Sequence, residues 1–529
     1  MSYADDAAAM AEALARTPNW ARVADELLDR ETLTAVLGEA AKLAESAVAP
    51  LNQVADRQSA RLRDGRVTLP AGFRAAYDAL AAGGWLALEQ TDALGGQGLP
   101  LTLFAATDPL FERACPAFMM AAGGSRAAAR LLTTHGDPAI RADWVPALLK
   151  GERCATICIS EPDAGSDVGR IRTRGRRRPD GGWRITGEKI WISFGDHDMC
   201  ERIGHCLLAR TNDQPGTRGL SLFLVERGPG VTTQRIEEKL GLHGSPTCAL
   251  AFADAPAMLI GKEGRGLAQL FTMIRHMRLT VACQGLGVAL GAWHAAVAYA
   301  SERRQGGDPA RPAVPIAGHP DVRRQLLEMG SAIDLFRLAL LETATAADLG
   351  EGDDDGDPAR LCGLLLPLIK TFGAELAFDT ANRAIQVLGG AGYTRDHPVE
   401  QALRDARVFA IYEGTTGIQA QDFLLRQCLA DDGAALAILL DRARAECGSQ
   451  ALASLILDRF EAFMQTVAAQ TDRRRLLAMA EPVMRAAWVA VQAWLAVRIA
   501  GTPEARLFLA TAPRQLALQI ARADVAATL

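Results

Sequence analysis

The spacing of apolar residues changes twice along this chain, and that alternation constrains the fold more than any single motif. From about 18 to 151 they recur at helical intervals, as in Leu33, Val36, Leu37, Ala40, Ala41, Leu43 and Ala44. After Gly151 the apolar segments become short, branched and aromatic. Residues 183–192, 205–210 and 220–226 are of this kind, bounded by the turn signals GGW, TNDQPGTRG and RGPG. Long helical stretches return at 267–301 and 322–349. Helical, β-rich, then helical is an uncommon order for a single enzyme. About a hundred residues beyond 430 carry further helical patterns around 436–445, 452–469, 476–499 and 505–523, with no cluster that suggests chemistry.

Smaller features fit this frame. The glycine-rich LGGQGLP at 94–100 either approaches a ligand or joins two helices. Arg170, Arg172, Arg174, Arg176, Arg177 and Arg178 read as a solvated strand edge, guarded against sheet extension, rather than as a nucleic-acid patch. The acidic run at 350–358 is a solvated connector. Gly285, Gly287 and Gly291 have some of the spacing of a dinucleotide fingerprint but lie in a helical stretch without the preceding strand, so they indicate close helix packing.

Composition limits the partners. A net charge of −5 over 529 residues calls for neither nucleic acid nor an anionic membrane. The N-terminus carries acids where a secretory signal carries bases, and no uninterrupted apolar run approaches the roughly 18 residues of a membrane span. A cytoplasmic protein without a membrane span is the expectation. Ten scattered cysteines lack a CxxC pair or zinc spacing and read as reduced core residues, with no metal site.

The stretch 404–421, RDARVFAIYEGTTGIQAQ, sets Glu413 between an apolar approach (Val408, Phe409, Ala410, Ile411, Tyr412) and a small, hydroxyl-bearing exit (Gly414, Thr415, Thr416, Gly417). Partial desolvation raises a carboxylate pKa toward neutrality and makes it a stronger base once ionised. By itself the tripeptide more often describes a surface glutamate at a turn.

ISEPDAGSDV at 159–168, GWRITGEKIWIS at 182–193, QVLGGAGY at 386–393 and YEGTTGIQ at 412–419 together resemble the signature of the flavin-dependent acyl-CoA dehydrogenases, over roughly residues 20–430. EKLGLHGSP at 238–246 and the C-terminal helices resemble the larger bacterial members, which include 3-methylmercaptopropionyl-CoA dehydrogenases. The resemblance implies a multidomain α+β fold. Its parts are an N-terminal helical domain (1–152), a central β-barrel-like domain (153–263), a C-terminal four-helix-bundle domain (264–430) and an appended helical module (431–529).

It also implies FAD held between the β domain and the second helical domain. Carried over by position, Ile159, Ser160, Trp191 and Ser193 face the flavin ring. Arg303, Gln386, Gly389 and Gly390 reach the pyrophosphate and adenosine, some across a subunit contact, and Thr415 meets the cofactor on the catalytic side. Ser166, Gly414 and Arg278 fall on the acyl-CoA side; Arg278 is equally an ordinary helix ion pair. Glu413 matches the base that removes the α-proton while the β-hydrogen leaves as hydride to flavin N5, giving a trans-2-enoyl-CoA. Two hydrogen bonds to the thioester oxygen, one from the backbone N–H of Glu413, hold the developing charge.

Ser160 and Ser193 stand where threonine is frequent and keep the hydroxyl. The run 303–307 lacks a phenylalanine common after the arginine, and Gly417 replaces a frequent glutamine, both at expected inter-subunit FAD contacts. The partners implied are an acyl-CoA, an electron-transferring flavoprotein and a second copy of the chain, in fatty-acid β-oxidation. Alternatives are an acyl-CoA oxidase or flavin monooxygenase on the same fold, and a catalytically silent acyl-CoA- or flavin-binding relative. Leu99, Leu103, Phe111, Phe118, Met119 and Met120 are candidates for the acyl pocket wall or for plain core.

Overall fold

The computed structural model describes residues 2–24, 28–353, 355–448 and 450–528. Eight helices come first: α1 (Tyr3–Ala15), α2 (Trp20–Val23), α3 (Arg30–Leu43), α4 (Leu51–Gln58), α5 (Phe73–Ala82), α6 (Leu101–Ala114), α7 (Pro116–His135) and α8 (Pro138–Leu149). A hairpin of β1 (Arg61–Arg63) and β2 (Arg66–Thr68) interrupts them. It turns at Asp64 and Gly65, both at positive φ, as a two-residue hairpin loop requires. Seven strands follow: β3 (Arg153–Cys158), β4 (Arg174–Arg177), β5 (Trp183–Ser193), β6 (Arg202–Arg210), β7 (Leu220–Glu226), β8 (Val231–Ile236) and β9 (Thr247–Ile260). The helical remainder comprises α9 (Gly266–Glu302), α10 (Pro320–Leu349), α11 (Asp357–Leu388), α12 (Val399–Ala406), α13 (Thr416–Gln421), α14 (Ala434–Cys447), α15 (Ala451–Ala468), α16 (Arg473–Ala496) and α17 (Pro503–Ala526).

These elements form two compact units whose membership crosses the sequence order. The first comprises Met1–Ala41, Leu101–Arg113 and Val281–Leu529; the second, Lys42–Pro100 and Ala114–Thr280.

The second unit is built on a mixed sheet. β3 and β6 pair in parallel and most other neighbours are antiparallel. The pairings run β6–β4–β5–β9–β7 and return to β6. β4 is laddered to β5 along its length but touches β6 only at Arg174, so its other margin is open and its exposed arginines pair locally, Arg174 with Asp213 at 3.0 Å. The glycine-rich loop folds back on its own unit: Gln97 and Leu99 donate to the carbonyls of Ala87 and Leu88, and Gly98 to that of Gln90. Phe118 packs edge-on against Phe73 and Tyr77, which makes it core.

In the first unit helix crosses helix with little between. A methyl group on Gly285 of α9 would stand 2.3 Å from the carbonyl oxygen of Gly373 on α11, and one on Gly287 would meet Pro109 and Arg113 at 2.6 Å. The glycine series is therefore a packing series. Phe372 of α11 stacks on Trp488 of α16 with centroids 4.8 Å apart and planes 7° apart, and Arg485 forks onto Glu375 at 2.7 and 2.8 Å. Glu342, wholly buried on α10, pairs with Arg442 and Arg498 of the C-terminal helices. Of the acidic connector, Asp354 lies outside the described residues, and Glu351, Gly352 and Asp353 are exposed.

α9 and the helix continuing from α11 are long and apolar enough to cross a membrane, yet 72% and 78% of their apolar windows are buried in the protein, as core helices are. All ten cysteines are free thiols, and only Cys362 is not fully buried.

Candidate active site

In the second unit, four of the expected residues are brought together by the end of β3 and a fault in β5. The Ile190 amide donates to the Ser160 carbonyl at 2.9 Å, and buried Lys189 donates to the Ile159 carbonyl at 2.7 Å while pairing with Glu161 at 2.8 Å. Burial pulls the Lys189 pKa down although Glu161 favours its charge; burial opposes ionisation of Glu161, but Lys189 together with hydrogen bonds from Thr173 and Arg172 brings its pKa down. β5 slips register between Lys189 and Ile192, and Trp191 takes φ +63° there. A bulge of this kind re-aims a side chain. The Trp191 indole is turned outward and 59% exposed. Thr156 Oγ1 donates to the Ser193 carbonyl at 2.8 Å, tying the strand back to β3. An uncovered indole on strained backbone beside the Ser160 and Ser193 segments fits the wall of a flat aromatic cofactor.

Ser166 is exposed in the loop that follows. Arg278 is buried on α9, two residues from His276, whose Nε2 lies 2.9 Å from Glu89. Burial opposes ionisation of Glu89, but Arg126 and His276 override it and its pKa falls to about 2.

In the first unit, Glu413 sits half-buried in a short loop between a 3₁₀ turn at Arg407–Ala410 and α13. Ile411 and Tyr412 both donate to the Val408 carbonyl, at 2.8 and 3.1 Å. Glu413 then takes φ +52° and Gly414 φ +94°. Left-handed backbone is uncommon for a glutamate and persists where surroundings over-determine it. Three side chains do so here. Gln419 donates to the Glu413 carbonyl at 2.9 Å; Lys370 donates to the carbonyls of Phe409 at 2.9 Å and Gly414 at 2.7 Å; and the Tyr412 hydroxyl donates to Gln284 Oε1, whose Nε2 donates to Glu112 at 3.1 Å. Burial pushes the Tyr412 hydroxyl well above its usual range, and the carboxylates of Glu112, Glu413 and Asp405 add to the effect, so it remains a neutral donor.

The apolar approach expected from the sequence is only partly an interior one: Phe409 is buried and stacks on Tyr412, whereas Ile411 is 51% exposed. Thr415 caps α13, its hydroxyl accepting from the Ile418 amide at 3.4 Å. Lys370, Gln284 and Glu112 carry no motif and lie between 43 and 301 residues from Glu413; nothing in the sequence pairs them with it.

The remaining expected cofactor contacts are exposed on the first unit. Arg303 follows the end of α9; Gln386 lies in the last turn of α11; Gly389 has φ +61° and Gly390 follows it. Among the described residues nothing lies within 4 Å of where a side chain would start at either glycine, so open backbone is presented there. The two segments meet over one small core that includes Ala296, Ala300, Ala384 and Leu388. Gly417 is exposed on α13 in open space.

Three family models match the chain in order: "Acyl-CoA dehydrogenase, N-terminal domain" over residues 30–152, the middle domain over 156–255 and the C-terminal domain over 264–426. The chain is 37% identical over 424 residues to 3-methylmercaptopropionyl-CoA dehydrogenase of Ruegeria pomeroyi, covering 77% of this chain and 72% of the relative. It is 36% identical over 443 residues to the broad-specificity linear acyl-CoA dehydrogenase FadE5 of Mycobacterium tuberculosis, covering 78% and 72%. Its fold is similar to that of Caenorhabditis elegans ACDH-11 in complex with C11-CoA, with a TM-score of 0.82 at 21% identity over 96% of this chain and 89% of that one. The likeness of fold thus takes in most of the residues beyond 426.

Proposed function

The chain belongs to the acyl-CoA dehydrogenase family, and from that membership we propose that Glu413 is the base that takes the α-proton of an acyl-CoA thioester. The protein is an FAD-dependent oxidoreductase acting on a CH–CH bond. When bound, FAD supplies the acceptor for the β-hydrogen and its electron pair. The observation that carries the assignment of Glu413 is its left-handed backbone, held by Gln419 and flanked by Gly414. A base must be held within hydrogen-bond reach of its proton, and a fixed loop does this better than a mobile one.

Trp191 walls one side of the cofactor's ring, with Ile159, Ser160 and Ser193 offering backbone groups and hydroxyls to its edge. Arg303, Gln386, Gly389 and Gly390 take the diphosphate and adenosine, where bare backbone and a guanidinium suit phosphate oxygens. Thr415 contacts the cofactor from the base's own loop. Ser166, Arg278 and Gly414 serve the thioester and CoA portion. The returning path of strand pairings forms a small barrel, the enzyme works as a homodimer, and electrons leave to an electron-transferring flavoprotein. The names of the two relatives support a linear or thioether-bearing acyl group, with a place in β-oxidation.

The test is an anaerobic flavin-bleaching screen over a panel of acyl-CoA thioesters, run on the native protein and on Glu413→Gln. Bleaching by the native protein and none by the variant is expected. Equal bleaching by both would sink the assignment.

A further inference from the structure

We infer that Lys370 is a positioning residue for the reaction: by bonding to carbonyls on both sides of Glu413, it holds the base in the conformation from which it takes the proton. This rests on the reading of Glu413 as the base.

Lys370 is 1% exposed, on a turn of α11 among Leu366, Leu368 and Ile369, all buried. An ammonium removed from water is strongly unfavourable unless its donors are used, and a lysine in such a place is rarely incidental. Its Nζ reaches the carbonyl of Phe409, four residues before the base, at 2.9 Å and that of Gly414, the residue after it, at 2.7 Å. One charged group therefore spans the loop, and charge-assisted bonds of this kind are about twice as strong as neutral ones. Between the two carbonyls the chain passes through successive left-handed residues, Glu413 and Gly414. Without a shared anchor a glutamate relaxes toward right-handed or extended backbone, which re-aims its side chain.

The anchor itself is fixed. Within five residues of Lys370, α11 is held by the stack of Phe372 on Trp488, the contact of Gly373 with Gly285 and the fork of Glu375 with Arg485. A side chain standing on so braced a helix transmits position rather than yielding.

The experiment uses the full-length holoenzyme with Lys370→Met, which keeps the stem and removes the charge, and Lys370→Gln as a second, polar and neutral variant. FAD content and melting temperature are recorded first. Anaerobic stopped-flow flavin reduction follows, with the panel thioester that bleaches the native enzyme fastest and with its α-dideuterated form. A loss of about 100-fold in the limiting reduction rate is expected for either folded variant, with apparent substrate affinity changed less than about threefold and a larger α-deuterium isotope effect. A merely structural role moves FAD content or melting temperature and leaves the isotope effect as it was. A folded, FAD-replete variant reducing within threefold of the native rate, with an unaltered isotope effect, would overturn the proposal while Glu413→Gln remained inactive. Bleaching by Glu413→Gln would instead remove the base, and this role with it.

Discussion

The side-chain amide of Gln419 donates to the carbonyl of Glu413 at 2.9 Å, so the proposed base is gripped by a residue of the helix that follows it. Replacing Gln419 with leucine removes that grip and leaves a carbonyl without its donor, a change worth about 1–2 kcal/mol, or roughly tenfold in rate. Flavin reduction measured by stopped flow should fall about tenfold with FAD still bound. Gly414→Ala should do at least as much, because its methyl would stand 2.7 Å from the same amide nitrogen at a φ of +94°. Native rates in both variants would mean the loop tolerates movement.

Trp191 offers a second test, because its indole is uncovered by the chain itself. Trp191→Ala should weaken FAD binding by roughly tenfold, the aromatic contact being worth about 1 kcal/mol. The melting temperature of the FAD-free protein should hold or rise, since a bulky residue leaves the left-handed region. Titration of stripped protein with FAD, followed by fluorescence quenching, measures the first quantity, and unchanged affinity would exclude the indole from the cofactor wall.

Acid should destabilise this protein well before its carboxylates titrate. His205 and His294 are buried, and burial lowers the pKa of each to about 3. Unfolded histidine binds a proton near pH 6.5, so between 6.5 and 3 the unfolded state holds more protons and stability falls as pH falls, by about 1.4 kcal/mol per unit per histidine. Glu89, depressed to about 2, stabilises fully above its unfolded value and loses that contribution only below about pH 4.5. Thermal melts from pH 7.5 to 5 should therefore show a steady decline that His205→Gln makes shallower. A flat profile over that range would contradict the neutral, buried state of these rings.

The C-terminal helices are expected to melt with the rest of the first unit. Trp488 is nearly buried between Phe372 and Phe336, and Trp488→Ala should cost about 3–5 kcal/mol through the cavity it leaves. One cooperative transition at lower temperature is the expected calorimetric result; two separate transitions would make the module independent.

Much of this was legible in the sequence because long, periodic elements carry redundant signal. β7 spans the residues its apolar run marks out, and the four C-terminal helices begin and end within a few residues of their periodic stretches. The hairpin at 61–68 leaves little trace in the sequence: three-residue strands are too short to show a period, and only Asp64-Gly65 marks the turn. β9 was also obscured, since Ala-rich sequence with Pro256 and a left-handed Asp254 has weak strand character. At the candidate site the motif residues could be read by resemblance, whereas Lys370 could not. In LLLPLIKTFG it looks like a charge misplaced in an apolar helix, and its partners come 39 and 44 residues later. Local sequence does not record such pairings.

The crossing of Gly285 on Gly373 also bears on descent. A side chain at Gly285 would strike backbone, which no repacking of neighbours can move aside, and one at Gly373 would strike the Phe336 ring at 2.6 Å. No single substitution at either position opens a passable route, and a larger residue at one cannot be matched by a smaller one at the other, since both are already minimal. The helix that bears Lys370 thus has no lateral freedom at this crossing.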